Sequence, residues 1–353
     1  MVNSIVDLTS DEALPYLEEE ILERIETIVS DCERGDIDTI SARRMTGTIG
    51  TRPIFHFTLS CSAHGALFQK EIIVKSVKDE FDVNEVFREH RKLWEGYRAK
   101  NVRPIVPEPY FCVEKENLLA MSYERGTSLL KKVLRSLVFR RSSSCRDTFT
   151  ELGTSLATFH ELGQGEKGPE PLRSIIEDAR ELLKDADHLP GKDRQAIEDH
   201  LQGVAEGSTG DTLVPISRNY NDWTMRNFLI DDSGTLTLLD TDAMTHPHFS
   251  RYDMIWNDVM TFIMNLESQT RYSPLVGRSD ICSLKDLFLE GYLTGFGKVG
   301  SQKRINDLLY VAALRIYLSR TRPFRNKFSG RVSGRYLREF ETSLLRGSGT
   351  IFG

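Results

Sequence analysis

The sequence predicts an α+β protein in two lobes, a small antiparallel sheet followed by a mainly helical part, and three observations lead there. A chain of 353 residues has room for roughly two domains of about 150 residues each. Between Ile37 and Val77 apolar residues alternate, as in Phe55-His56-Phe57-Thr58-Leu59, or run in β-branched stretches such as Ile72-Ile73-Val74, the signature of strands. From Leu129 onward they recur at three- and four-residue steps, the signature of helices with one buried face. The expected division is a helical extension over 1–36, a sheet lobe over 37–124 and a helical lobe over 125–353.

Composition narrows the class. With 39% hydrophobic and 28% charged residues, the chain has the make-up of a folded, soluble protein, not of a disordered or fibrous one. No apolar run reaches the length of a membrane helix, and Met1 to Ser10 lacks the basic start and apolar centre of a secretory signal. The cysteines, Cys32, Cys61, Cys112, Cys145 and Cys282, are too scattered for a zinc site or a redox pair, and predict reduced thiols in a cytoplasmic protein. A formal charge of −6 argues against general nucleic-acid binding, whose footprint is basic.

Taken in order, residues 11 to 33 place Leu14, Leu17, Ile21, Leu22, Ile25 and Ile28 on one helical face with acids outside, and Pro15 falls in the first turn, where a missing amide hydrogen is tolerated. Three strands follow, the first two joined by a turn at Gly47-Thr48-Ile49-Gly50-Thr51-Arg52. Lys75 closes the third. A lysine beside a β-branched run is costly to bury, so it either snorkels to solvent or meets a carboxylate. The next helix carries Val83, Val86, Phe87, His90, Leu93, Trp94 and Tyr97 in one stripe. Glu89 lies nearer the stripe's edge than Glu85, which makes it the expected partner of Lys75. Pro104, Pro107 and Pro109 interrupt helix, and Tyr110 to Val113 with Leu118 to Met121 form a hairpin turning at Glu116-Asn117.

The second half is helical. Leu129 to Arg146 combines an apolar face with Lys131, Lys132, Arg135, Arg140, Arg141 and Arg146 and contains no acid. Such a segment is either a packed helix with a solvated cationic face or a surface for an anionic membrane or substrate. Phe149, Leu152, Leu156 and Phe159 set up a helix ending in His160. Helical pieces follow at Ser174 to Leu183 and Asp193 to Val204, then around Trp256 to Met264, Leu284 to Tyr292 and Asn306 to Leu318. His246 and His248 lack a third ligand and read as loop. Arg320 to Arg338 is a second basic segment without an acid.

The chemistry concentrates in Tyr220-Asn221-Asp222-Trp223-Thr224-Met225-Arg226-Asn227, followed by a hairpin of Phe228 to Ile230 and Leu236 to Leu239 that turns at Asp231 to Gly234 and ends at Asp240-Thr241-Asp242. The hairpin is expected to bring Asp222, Asn227 and Asp240 to one sheet edge. There one carboxylate can accept a proton from a hydroxyl, while the amide oxygen and the other carboxylate hold magnesium on a nucleoside triphosphate.

At these residues the chain resembles the aminoglycoside phosphotransferase and choline kinase branch of the protein-kinase-like superfamily. The resemblance implies a two-lobed protein-kinase-like fold in which Asp222 is the catalytic base, Asn227 and Asp240 are magnesium ligands and Asp242 is an outer carboxylate. It further implies that ATP is held by Lys75, that Gly47 and Gly50 lie over its phosphates, and that the backbone from Met121 to Tyr123 hydrogen-bonds adenine. Gly126 starts the next helix, and His160 and Asp253 brace the catalytic loop, Asp253 also as a helix N-cap. Tyr220 and Asn221 depart from the His and Gly usual in that family. The implied activity is ATP- and Mg2+-dependent phosphorylation of a hydroxyl on a small molecule such as a sugar, amino sugar, aminoglycoside or amino alcohol, with the basic segments suiting an anionic acceptor. The long activation segment ending in Ala-Pro-Glu that marks protein kinases is missing. A lipid-linked or protein acceptor, or a nucleotide-binding module without turnover, are the alternatives.

Overall fold

The computed structural model describes residues 8, 12–29, 36–45, 53–63, 66–102, 106–139, 145–187, 189–208, 212–246, 250–270, 278–297 and 301–324. Gly47, Gly50, Cys32, His248 and everything beyond 324 lie outside them. The chain forms two compact units, residues 1–126 with 229–249 and residues 127–228 with 250–353. Two boundaries therefore differ from those expected from the sequence. The described residues 12–29 of the expected extension pack within the sheet unit, and the hairpin after Phe228 belongs to it as well, because its end is tied to that unit by the side chains described below.

The first unit is a five-stranded antiparallel sheet ordered β1-β2-β3-β5-β4, with β1 Ile37–Met45, β2 Ile54–Ala63, β3 Ala66–Ser76, β4 Pro109–Val113 and β5 Leu118–Ser122. Strand alternation sorts its faces. Phe55, Phe57, Leu59, Ile72, Val74, Leu118 and Ala120 point one way and pack with Ala13, Leu17, Ile21, Ile25 and Ile28. These last come from α1 (Ala13–Glu23) and the single turn α2 (Ile25–Ile28), into which the expected first helix is divided at Arg24. The opposite face carries Lys75 and packs Leu119 and Met121 on Val83 and Val86 of α3 (Val83–Lys100). Helix α3 begins where the Asp82 side chain accepts the Asn84 amide and ends at Asn101, whose φ of 50° is the left-handed conformation that stops a helix.

The second unit is helical. In chain order it holds β6 (Thr127–Ser128), α4 (Leu129–Val138), α5 (Arg146–Leu162), β7 (Glu170–Pro171), α6 (Leu172–Lys184), α7 (Gly191–Glu206), β8 (Leu213–Val214) and β9 (Ile216–Arg218). After the hairpin come β12 (Tyr252–Met254), α8 (Trp256–Thr270), α9 (Arg278–Phe296) and α10 (Gln302–Phe324). The hairpin strands of the first unit are β10 (Phe228–Ile230), whose first residue still belongs to the second, and β11 (Leu236–Leu238). Helices α5 and α9 cross backbone to backbone. A Cβ on Gly291 would stand 2.1 Å from the Thr150 carbonyl oxygen, and one on Gly153 would stand 2.0 Å from that of Phe288. Among the described residues no helix is long and apolar enough to cross a membrane, and Cys61, Cys112, Cys145 and Cys282 are free thiols.

Candidate active site

In the first unit the site is organised around Lys75. Its Nζ lies 2.8 Å from Oδ1 of Asp242 and 3.2 Å from Oδ1 of Asp240, which follow β11. Burial works against the ammonium, but the two carboxylates more than offset it and hold its pKa above the ordinary lysine value. Glu89, the partner expected from the helical wheel, is not the one used. It is buried on α3 and meets Lys92, one turn on, at 3.2 Å. The reason is geometric: the turn after β11 brings two carboxylates to the lysine, and the wheel, which ranks residues of one helix only, does not contain that turn.

His90 fastens the same turn. Its Nε2 is 2.6 Å from the Pro107 carbonyl and its Nδ1 is 2.8 Å from the Thr241 hydroxyl. A carbonyl can only accept, so Nε2 carries the proton and Nδ1 accepts from Thr241. Burial pushes this ring down to about 4, helped by the nearby Lys75 charge and opposed by the Pro107 hydrogen bond and Asp240. A neutral imidazole thus pins the residue between Asp240 and Asp242.

The strip expected to read adenine is partly committed. The Ser122 amide donates to the Glu108 carbonyl at 2.9 Å and the Tyr123 amide to that of Glu71 at 3.1 Å. Met121 sits in the ladder opposite Ile73, on the same face as Lys75. The Tyr123 ring packs on His56 with centroids 4.3 Å apart. Gly47 and Gly50 lie outside the described residues.

In the second unit the loop of Asp222 is built from beneath. Tyr220 and Trp223 are fully buried, edge to face at 5.2 Å, and pack with Phe159 and Phe228. Asp258 on α8, itself 1% exposed, accepts the Tyr220 amide at 2.7 Å, the Asn221 amide at 2.8 Å and His160 Nε2 at 3.2 Å. His160 Nδ1 in turn accepts from the Tyr292 hydroxyl at 2.8 Å. Burial, with the Asp258 charge behind it, holds that phenol above its ordinary value and keeps it a donor. Three helices therefore converge on two consecutive loop amides. Asp222 is exposed above them, and the Asn227 Nδ2 donates to both its carboxylate and its carbonyl at 2.9 Å.

Asn221 has φ of 68°, a conformation that glycine adopts freely and asparagine tolerates better than other side chains. Asn221, where the family that the sequence resembles usually has Gly, is therefore compatible with this backbone. Tyr220 in turn fills the aromatic cluster under the loop.

Asp253, expected as N-cap and brace, does neither. It lies in β12 and pairs with Arg315 of α10 at 2.6 and 3.1 Å. The brace is Asp258, a residue not singled out from the sequence. The available signal was an acid inside a helix whose neighbours Ile255, Trp256, Val259, Met260, Phe262 and Ile263 are all buried. Asp242 as the closer carboxylate to Lys75, and His90 as its anchor, were likewise not recognised.

Asn227 and Asp240, expected as a metal pair, fall in different units, the first held on Asp222 and the second on Lys75. Among the described residues no group of three or more His, Cys, Asp or Glu side chains is placed to hold a metal. His246 meets Glu80 at 3.8 Å and packs edge-on against Phe81.

Solved structures share this architecture. A candidate aminoglycoside phosphotransferase from Ralstonia eutropha JMP134 aligns over 93% of this chain and 96% of its own with a TM-score of 0.57 and 15% identity. A glucosamine kinase solved with glucosamine, ADP and inorganic phosphate covers 93% and 82%, with a TM-score of 0.54 and 14% identity. A Plasmodium vivax ethanolamine kinase covers 98% and 92%, with a TM-score of 0.50 and 12% identity. No protein-family model and no curated protein sequence matches the chain. At such identities the likeness is one of fold, and the fold these structures share with the chain, a five-stranded antiparallel sheet and a mainly helical remainder, is the protein-kinase-like fold.

Proposed function

We propose that the protein is an ATP- and magnesium-dependent phosphotransferase acting on a hydroxyl of a small molecule. The observation that carries this reading is the loop of Asp222: its backbone is pinned by two amides to buried Asp258 while the carboxylate itself is exposed and oriented by Asn227. A side chain so presented suits a general base that takes the proton of an attacking hydroxyl. Lys75, held charged by Asp240 and Asp242, suits the binding of triphosphate oxygens.

Magnesium takes hard oxygen donors and keeps several waters, so it needs few protein ligands. The donor set fits. The Asp240 side chain is 51% exposed, and Asn227 spends Nδ2 in its hydrogen bonds, which leaves Oδ1 an acceptor. When bound, the ion supplies neutralisation of phosphate charge. Asp242 and His90 keep the Asp240 turn in register with Lys75.

The neighbours are named for aminoglycoside, glucosamine and ethanolamine, hydroxyl compounds that also carry amines. The acceptor proposed here belongs to that class: a sugar, amino sugar, aminoglycoside or amino alcohol. The setting proposed is the cytoplasm, where free thiols persist. A second reading, nucleotide binding without transfer, draws on the Lys75–Asp240 pair, because an ammonium resting on the metal-side carboxylate competes with the metal.

ATP consumption over a panel of such acceptors, with and without magnesium, in wild type and in Asp222→Asn, tests both. Turnover that requires magnesium and Asp222 supports transfer. Nucleotide binding with no turnover on any acceptor supports the second reading, and absence of nucleotide binding overturns both.

A further inference from the structure

We infer that the outer face of α4 is a docking surface for an anionic lipid bilayer. At 100° per residue, Leu129, Val133 and Leu137 fall four apart on one side of this helix, and all three are buried. Lys131, Arg135 and Phe139 fall four apart on the other side, and all three are exposed, with half-buried Lys132 beside them. Phe139 closes the stripe at the helix end with 64% of its surface in solvent, more than the other exposed large hydrophobics among the described residues, Leu213 at 54% and Met45 at 40%. A lone exposed aromatic ring in line with cations is costly in water and suited to an interface where the ring enters the acyl boundary and the cations meet headgroups.

What sets this stripe apart is the lack of any acid near its cations. On α3 the outward cations Arg88, Arg91 and Lys92 each have a glutamate within 4 Å, and on α6 Arg180 and Lys184 meet Glu198 and Glu181. Arg173 on α6 and Lys192 and Arg194 on α7 make no ion pair among the described residues, but each has an acid within four positions in the sequence. Lys131, Lys132 and Arg135 make no ion pair among the described residues. Nor could they locally, since the sequence has no acid between Gly126 and Arg146 and continues past Phe139 with Arg140-Arg141.

A bilayer fits better than a nucleic acid. Phe139 decides it: an acyl boundary takes up the apolar ring at the end of the stripe, while the footprint of a nucleic acid is basic and this chain as a whole carries −6. The buried side of α4 rests on the turn Met225–Asn227, so docking occurs one layer from the Asp222 loop. The inference does not rest on the phosphotransferase reading.

Flotation of the full chain with phosphatidylcholine vesicles, with and without about 30 mol % phosphatidylserine, tests it. Wild type is expected to bind only the anionic vesicles and to be released by raised salt. The Lys131→Gln/Lys132→Gln/Arg135→Gln variant is expected to lose affinity on the order of 100-fold, about fivefold per cation. Phe139→Ser should lose roughly tenfold without altering the salt dependence. All four side chains lie on the outer face, and unchanged thermal melts verify that the variants fold. Equal binding to neutral vesicles, or a triple variant that binds like wild type, overturns the inference. Single-stranded oligonucleotide binding that the same substitutions abolish, without vesicle binding, overturns it in favour of a nucleic-acid surface.

Discussion

His90 makes the stability of the sheet unit depend on acid in a way that can be worked out. Its ring is buried, neutral and bonded at both nitrogens, and its folded pKa is pushed down to about 4 from an ordinary 6.5. A histidine whose folded value is depressed contributes no penalty above its unfolded pKa. As pH falls below 6.5 the unfolded chain takes up a proton that the folded chain refuses. The loss follows from the two constants: under about 0.2 kcal/mol at pH 7 and about 2 kcal/mol at pH 5. Other groups titrate over the same interval, so the informative quantity is the comparison with His90→Gln, which keeps a hydrogen-bonding side chain but binds no proton. At pH 7 wild type should be the more stable, because Gln cannot span Thr241 and Pro107 as the ring does. On going to pH 5 that advantage should shrink by about 2 kcal/mol in urea unfolding. An advantage of the same size at both pH values would refute the doubly bonded neutral ring, and with it the account of how Thr241 is held between the two carboxylates that meet Lys75.

Asn221→Gly should leave the melting temperature nearly unchanged, while Asn221→Val should cost about 1–2 kcal/mol, because a β-branched residue is forced to φ of 68°. Asp258→Asn replaces an acceptor of three hydrogen bonds by a group with one acceptor oxygen, so it should destabilise by about 3 kcal/mol and abolish the proposed phosphoryl transfer together, read by thermal melting and turnover. Asp242→Asn leaves the ammonium of Lys75 on Asp240 alone and should weaken Mg·ATP about tenfold in a binding titration, whereas Glu89→Gln should leave that affinity unchanged. Gly291→Ala drives a methyl to 2.1 Å from the Thr150 carbonyl oxygen and should lower stability by about 3 kcal/mol on thermal melting.

The sheet and most of the helices were legible in the sequence because their signal is local. Alternation at Phe55 to Leu59 and the stripe at Val83 to Tyr97 report burial within a few residues, and burial is what the fold enforces. The residues that fasten the site were not legible for the opposite reason. Asp258 acts on amides 38 and 37 positions earlier and on a histidine 98 positions earlier. No periodicity carries that information. Its only trace is an acid in a helix buried on nearly every side, which is costly unless the charge is fully hydrogen-bonded. The Lys75 pairing failed similarly. Glu89 satisfied every criterion visible on its own helix, and it is indeed buried, but the lysine is met by carboxylates 165 and 167 positions away.

The departure at Tyr220-Asn221 shows what the loop requires of its sequence. Read as identities, two changed residues beside Asp222 suggest lost turnover. Read as conformations, they preserve each demand the structure makes. Position 220 must offer an amide to Asp258 and a ring to the cluster of Phe159, Trp223 and Phe228, and tyrosine does both. Position 221 must take a positive φ and point its amide at the same carboxylate, which asparagine permits at modest cost. What the loop selects is therefore a backbone path with two aligned amides, and side chains are interchangeable to the extent that they allow it. The altered motif therefore does not by itself speak for the inactive reading, and the feature that bears on it is Lys75, whose ammonium would have to leave Asp240 for magnesium to bind there as proposed.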